Sequence, residues 1–436
     1  MRVLVPAFLL SALSLTAAVD DWPRWRGPRN DGVARGDVPT EFGEGKHVAW
    51  KLDIPGRGFS SPVMWGDRIF LTNAVPIADA PAPAAAGTDN GPRRGAGGGA
   101  GTGKEYKFVV LAIDAKTGKV IWERVAKTAT PHEGYHQMYG SFASNSPVTD
   151  GKHVIAFFGS RGLYCYDLDG KLIWEKQFSP MHMRLQFGEG AAPTLHGNTL
   201  LLNFDQESGS FFVALDKNTG KEIWRKERDE VSSWSQPYVV KVNGREQVIL
   251  SATARVRAYD LATGEVIWEC KGLGANVIPA PVVLDDKLVI VMSGFRDPNL
   301  LAIKLGGKGD LTGTDAVVWT NQRGNSYTPS PVLHDGKLYM LTDNGMLSCL
   351  DAAIGKPYYA QQRLPKPYNF KASPVAVNGK LYLAAENGDV IVVKLGETFE
   401  ILATNSFSDH VFIASPAVSG GSMYLRSDKS LFCIRP

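Results

Sequence analysis

Short apolar runs recur along the chain, each broken by a turn of the Asp-Gly or Asn-Gly kind. Eight stretches share one shape: SSPVMWGDRIFLT (from Ser60), NSPVTDGKHVIAFF (Asn145), AAPTLHGNTLLLNF (Ala191), SQPYVVKVNGREQVILS (Ser235), PAPVVLDDKLVIVMS (Pro279), PSPVLHDGKLYMLT (Pro329), ASPVAVNGKLYLAA (Ala372) and ASPAVSGGSMYLRS (Ala414). Each opens with small residues and a proline, which a strand tolerates only at its start. A tight turn follows, then a second strand rich in Val, Ile, Leu and Tyr.

A second pattern follows the first. A-x-D-x-x-T-G-K-x-x-W is nearly intact at Ala112–Trp122, Ala214–Trp224 and Ala258–Trp268, with variants at Tyr164–Trp174, Leu350–Tyr359 and around Ala302–Trp319. The run before the aspartate reads as a third strand. Asp114, Asp216 and Asp260 are placed to accept backbone N–H groups of the turn ahead. Gly118, Gly220 and Gly264 supply its positive φ. The final segment is a fourth, outer strand, and its indole is expected to pack on the neighbouring unit. Trp50, Trp122, Trp174, Trp224, Trp268 and Trp319 hold that position, with Tyr359 and Leu402 substituting in the sixth and seventh units.

A period of roughly 40–50 residues with strand content means a solenoid or a propeller. The ends decide between them. The last unit stops after a third strand, while HVAWKLDIPG, with Trp50, stands alone ahead of the first. We therefore expect an all-β fold, an eight-bladed propeller of four-stranded blades, with His47–Asp53 completing the last blade. A linear solenoid would need caps at both ends, and none is seen.

Length alone would allow two or three domains in 436 residues, but one propeller absorbs nearly all of it. The expected layout is a signal peptide (1–18), an irregular arm (19–46) anchored by Trp22 and Trp25, and the propeller (47–436). Residues 75–105, an Ala/Pro/Gly tract inserted in blade one, are expected to be disordered. The formal charge of +3 argues against phosphate-driven nucleic-acid binding. Arg2, the apolar run Val3–Leu15 and the small residues to Ala18 read as a cleaved export signal, too short to span a bilayer, with no lipid-anchor cysteine after it. A periplasmic or secreted monomer with no membrane span is the expectation. Cys165, Cys270, Cys349 and Cys433 fall in alternate blades, too far apart to bond, and read as buried thiols.

The repeat, together with the DWPRWRGP opening at Asp21, resembles the pyrroloquinoline-quinone-like (PQQ-like) β-propeller family over nearly the whole chain. That resemblance implies a propeller whose members include quinoprotein dehydrogenases, with the quinone and Ca²⁺ on the axis, and non-enzymatic relatives such as the propeller lipoprotein of the outer-membrane β-barrel assembly machinery. The adjacent-cysteine disulfide of the enzymes is absent, and their calcium ligands and catalytic aspartate find no matched motif here.

In a propeller, the residues just before each inner strand gather at one mouth of the axial channel. Here they include Arg57, Phe59, Ser141, Asn145, Glu189, Trp234, Gln236, Asn276, Tyr327, Phe370, Lys371, His410 and Phe412. This mixture suits a polar, partly planar molecule or a peptide. The loop joining blades one and two spells His132-Glu133-Gly134-Tyr135-His136, the zinc-protease pattern, but Pro131 and Gly134 oppose the helix that pattern requires. His182, in the next loop, lies on the same face. No metal and no catalytic residue are assigned; His132, His136 and His182 are the candidates should a metal bind. The reading is a non-enzymatic scaffold, needing no cofactor, that binds a protein or peptide. The alternatives are a PQQ- and calcium-dependent oxidoreductase, with Trp234 stacking and Glu189 on the metal, and a metal-dependent enzyme.

Overall fold

In a computed structural model of the chain, which describes residues 21–77 and 98–436, eight sheets form a closed ring. Blade three shows the plan: Thr194–His196, Thr199–Phe204, Phe211–Asp216 and Glu222–Glu227 pair antiparallel in sequence order from axis to rim. In the last blade Ala417–Ser419, Ser422–Arg426 and Ser430–Ile434 supply three strands, and Val48–Asp53 supplies the fourth. The two ends of the chain thus share one sheet, and the ring has no free edge at its seam.

Side chains alternate between the two faces of each sheet, so both faces can be apolar only if each is covered by a neighbour. Seven hydrophobic clusters fill the spaces between blades. Val63, Phe70 and Phe108 of blade one, for example, pack with Val154, Ala156 and Tyr164 of blade two. The largest cluster joins blades seven, eight and one with the N-terminal arm.

The aspartate turns and tryptophans tie blade to blade. Asp114 accepts the backbone N–H of Lys116 and Thr117 and the Thr117 hydroxyl, and these bonds, the hydroxyl's first, hold its carboxyl below the usual range. Asp216 and Asp260 repeat the arrangement. The Trp122 ring covers Gly170 of the next blade and donates its N–H to Leu168 O at 2.8 Å. Trp174 on Gly220, Trp224 on Gly264 and Trp319 on Gly355 do the same, with carbonyl acceptors at Lys217, Leu261 and Ala352.

Two positions differ from the sequence reading. Trp268 is fully buried because Gly309–Asp310 of blade five folds back and pairs parallel with its strand; its N–H has no protein acceptor. In blade seven the register places Ala403, not Leu402, at the tryptophan position, since Ala403 pairs with Val392 as Trp122 pairs with Ala112. Leu402 points outward.

Residues 75–77 and 98–105 of the tract expected to be disordered lie among the described residues and are ordered. Val75 and Pro76 pair with Lys107 and Tyr106 in a strand that outlasts its blade, and Ala100 forms a bridge with Tyr135. Gly98 lies so close to the Leu185 carbonyl that a Cβ would sit 1.9 Å from it, so only glycine fits. Residues 78–97 and the expected signal peptide lie outside the described residues. Among the described residues, no helix is long and apolar enough to cross a membrane. All four cysteines are buried and free.

The arm is a plug. Trp22 bridges Met64 of blade one, and Pro23 O accepts Thr149 N of blade two. Across the axis, Arg26 donates to Pro374 O of blade seven at 2.7 Å and to Pro331 O of blade six. Val33–Ala34 then pairs parallel with Val375–Val377, the inner strand of blade seven. No carboxylate neutralises the fully buried Arg26 guanidinium by hydrogen bond, and burial lowers its pKa to about 10.

Candidate functional site

Small residues line the neck of the ring because eight inner strands converge there. The serine that precedes the proline in five of the blades does more than fill space. Ser61 N donates to Ser146 Oγ at 2.8 Å, Ala280 N to Ser330 Oγ at 2.9 Å, Ser330 N to Ser373 Oγ at 2.9 Å, Ser373 N to Ser415 Oγ at 2.9 Å, and Ser415 N to Ser61 Oγ at 2.9 Å. Each hydroxyl thus satisfies a backbone group of the preceding blade that would otherwise be buried and unpaired. Blades three, four and five carry Ala192, Gln236 and Ala280 there, and the ring is interrupted.

Above this neck lies an axial cavity of two overlapping lobes open to solvent, each spanning about 690 Å³ with that open space included. All eight blades contribute, from Phe59 in blade one, Ser144 in blade two and Trp234 in blade four to Lys371 in blade seven and Ala414 in blade eight. Its floor is Trp25 of the arm, whose indole N–H donates to Ser415 Oγ at 3.1 Å. Its walls are aromatic: Tyr139 and Phe187 from the interblade loops, Trp234 and Tyr327 from the ring.

Trp234 is fixed by its N–H on Gly188 O at 2.8 Å, and Tyr327 is stacked on Phe295. Burial raises the phenol pKa of both Tyr139 and Tyr327. Lys371 Nζ sits 4.8 Å from the Tyr139 ring centroid and 2.7 Å from Asp343, which is held in turn by Thr328. His136 stacks on Tyr139 at 3.6 Å; burial first, and then the Lys371 charge, lower its pKa.

The structure brings Glu189, Trp234, Tyr327 and Lys371 of the expected mouth residues to the cavity, together with Phe59 and Ser141. Others are turned into the wall. Arg57 donates to Gly140 O and Met138 O and so pins the loop that carries Tyr139. Gln236 reaches Pro193 O, His410 faces Ser427 at 2.9 Å, and Asn276 is buried with its Oδ1 unpaired. Asn145 is buried beside Glu189 and Trp234 in a small side cavity, its backbone carbonyl accepting the Thr72 hydroxyl and its side-chain Oδ1 unpaired. Phe370 and Phe412 are core residues. These side chains satisfy the crowded neck, a demand that position in the sequence does not distinguish from facing the channel. Tyr139 escaped the sequence reading because it sits in mid-loop, well ahead of its strand.

Glu189 does not fit a calcium role. It forms an ion pair with Arg161 at 2.5 Å, both side chains 7% exposed, and also accepts the Ser160 hydroxyl and backbone N–H. Gly159, at φ 60°, makes room for it, since a Cβ there would meet its carboxylate. It is the only carboxylate among the described residues lining either lobe, whereas Ca²⁺ takes 6–8 oxygen ligands. The residues present do not suit a metal-bound quinone.

The zinc-protease reading also fails on geometry: His132–His136 is not helical, and His136 faces the cavity away from His132. Glu133 takes its place, so that His132, Glu133 and His182 come together at the rim.

The family described as outer membrane protein assembly factor BamB matches residues 106–361 and 308–398. Among curated relatives, an outer membrane protein assembly factor BamB of Burkholderia pseudomallei is 26% identical over 243 residues, covering 54% of this chain and 57% of its own length. The chain spans about half the length of the curated relatives it matches at greatest extent. Among solved structures, BamB from Moraxella catarrhalis superposes with a TM-score of 0.55 at 13% identity, over 75% of this chain and 91% of that one. A europium-containing methanol dehydrogenase gives 0.66 at 10% identity, over 96% and 98%. At such identities the structural likeness speaks for the fold alone. The repeat, the closed ring of eight blades and the family match agree that this chain belongs to the PQQ-like β-propeller family described as outer membrane protein assembly factor BamB.

Proposed function

We propose that this protein is an exported, non-enzymatic scaffold that binds a protein or peptide through its loop face, seating one side chain of the partner in the axial cavity. The observation that carries this is the shape of the cavity: a pocket floored by Trp25, walled by Tyr139, Trp234 and Tyr327, and carrying Lys371. A rigid aromatic cleft whose one lysine is already paired with Asp343 suits an anchoring aromatic side chain. The matched relatives, named as assembly factors of outer membrane proteins, support a partner in the cell envelope.

The oxidoreductase alternative is disfavoured by the Arg161–Glu189 pair, which consumes the one carboxylate a calcium ion would need. The test is a pull-down from an envelope fraction. The wild type should retain a partner that the Trp234→Ala/Tyr139→Ala variant loses. Pyrroloquinoline quinone added with Ca²⁺ should elute apart from the protein. An empty pull-down together with a co-eluting quinone would reverse the assignment.

A further inference from the structure

Two interblade loops meet beside the mouth of the cavity. One, after blade one, carries His132 and Glu133; the other, after blade two, carries His182. One ligand atom from each of these three residues lies within 4.8 Å of the other two. We propose that they form a binding site for a first-row divalent transition metal of the zinc class, which clamps the two loops together.

The donor set is right for such an ion. Two imidazoles and one carboxylate suit Zn²⁺, with metal–ligand distances of about 2.1 Å and the remaining positions open to water or substrate. Two ligands at that distance from one ion are separated by about 3.0–3.4 Å. Glu133 Oε1 and His182 Nδ1 already stand 2.9 Å apart. The side chain of His182 is 62% exposed, so it is free to adjust as an ion enters.

The surroundings prepare the ligands. His132 Nε2 lies 2.7 Å from the Met181 carbonyl. A carbonyl only accepts, so Nε2 carries the proton and Nδ1 keeps its lone pair for a metal. Metal-binding histidines are oriented in this way, with the second nitrogen donating to a carbonyl or carboxylate. The other carboxylate oxygen, Glu133 Oε2, accepts Met183 N at 3.0 Å. The His182 backbone is tied on both sides, its N–H to Gln206 Oε1 at 2.9 Å and its carbonyl to Glu207 N at 2.8 Å. When the metal takes His182 Nδ1, the single imidazole proton passes through solvent to Nε2.

The loops behind the site are already joined by backbone bonds. His136 N donates to Phe187 O at 3.0 Å, and Tyr135 exchanges two bonds with Ala100 at 3.1 Å. His136 and Phe187 line the cavity. An ion at His132, Glu133 and His182 therefore stiffens the wall that carries Tyr139 and Phe187, and this role stands whether the cavity takes a protein or a small molecule.

The test uses the full chain, stripped with chelator and titrated with Zn²⁺ alone by calorimetry. One ion per chain should bind saturably. His132→Ala and His182→Ala should each weaken binding at least tenfold, Glu133→Gln should weaken it clearly, and His136→Ala should leave it within twofold. Circular dichroism shows whether each variant is folded. Should a variant unfold, Co²⁺ added to the wild type decides, since inner-sphere imidazole and carboxylate ligands give visible ligand-field bands. No saturable Zn²⁺ binding, no bands with Co²⁺, binding indifferent to the His132→Ala/His182→Ala pair, or loss in His136→Ala alone would each overturn the assignment.

Discussion

Trp50 lies flat across Gly118, so close that a Cβ on the glycine would stand 2.6 Å from the indole, and the indole N–H donates to Ala115 O at 3.0 Å. The contact joins the strand that completes blade eight to the turn of blade one, and with the N-terminal strand it seals the ring. Trp50 is only half-buried, so Trp50→Ala should cost about 2–3 kcal/mol, less than the ~3–5 kcal/mol of a fully buried large aromatic. Gly118→Ala should also destabilise, because φ there is 72° and the ring blocks the new methyl. Urea denaturation of both variants checks this, and midpoints equal to wild type would show that the seam is held elsewhere.

Arg26 fastens the plug. Replacing it with methionine leaves the buried carbonyls of Pro331 and Pro374 without their donor, at about 1–3 kcal/mol for each unsatisfied group. The floor of the cavity should then loosen, and limited proteolysis should cut the arm between residues 21 and 40 sooner than in the wild type. Unchanged cleavage would show that Trp22 and the pairing of Val33–Ala34 suffice.

The fold was legible in the chain because propeller geometry writes itself repeatedly. The aspartate, glycine and tryptophan of each hairpin answer one local demand, and even the seam could be read from the orphaned Trp50. The cavity was only half legible. Trp234, Tyr327, Lys371 and Glu189 were found by position, but Gln236 and His410, equally well placed, serve neighbouring backbone and hydroxyl groups instead. The serine ring was visible as a repeated Ser-Pro and was read for its proline alone. The meeting of Glu133 with His182 joins residues 49 apart and depends on two irregular loops, for which no periodic signal exists.

Stability should fall as the solution is acidified past neutrality. Burial, aided by nearby lysines, lowers the pKa of His136 and His410 from 6.5. Between the lowered folded values and 6.5 the unfolded chain binds more protons, so stability is lost as pH falls through that window and is regained as it rises. The denaturation midpoint of the wild type should drop between about pH 7.5 and 5.5. A His136→Gln/His410→Gln variant should show a shallower decline; an equal slope would mean that other groups dominate.

The central claim is that the loop-face cavity is where a partner docks, and site-specific photo-crosslinking tests it most directly. A photoreactive side chain replacing Tyr327 at the cavity should give one discrete adduct in envelope extracts, while the same probe at Ile223, exposed on the outer rim, should give none. An adduct at Ile223 with nothing at Tyr327 would contradict the account.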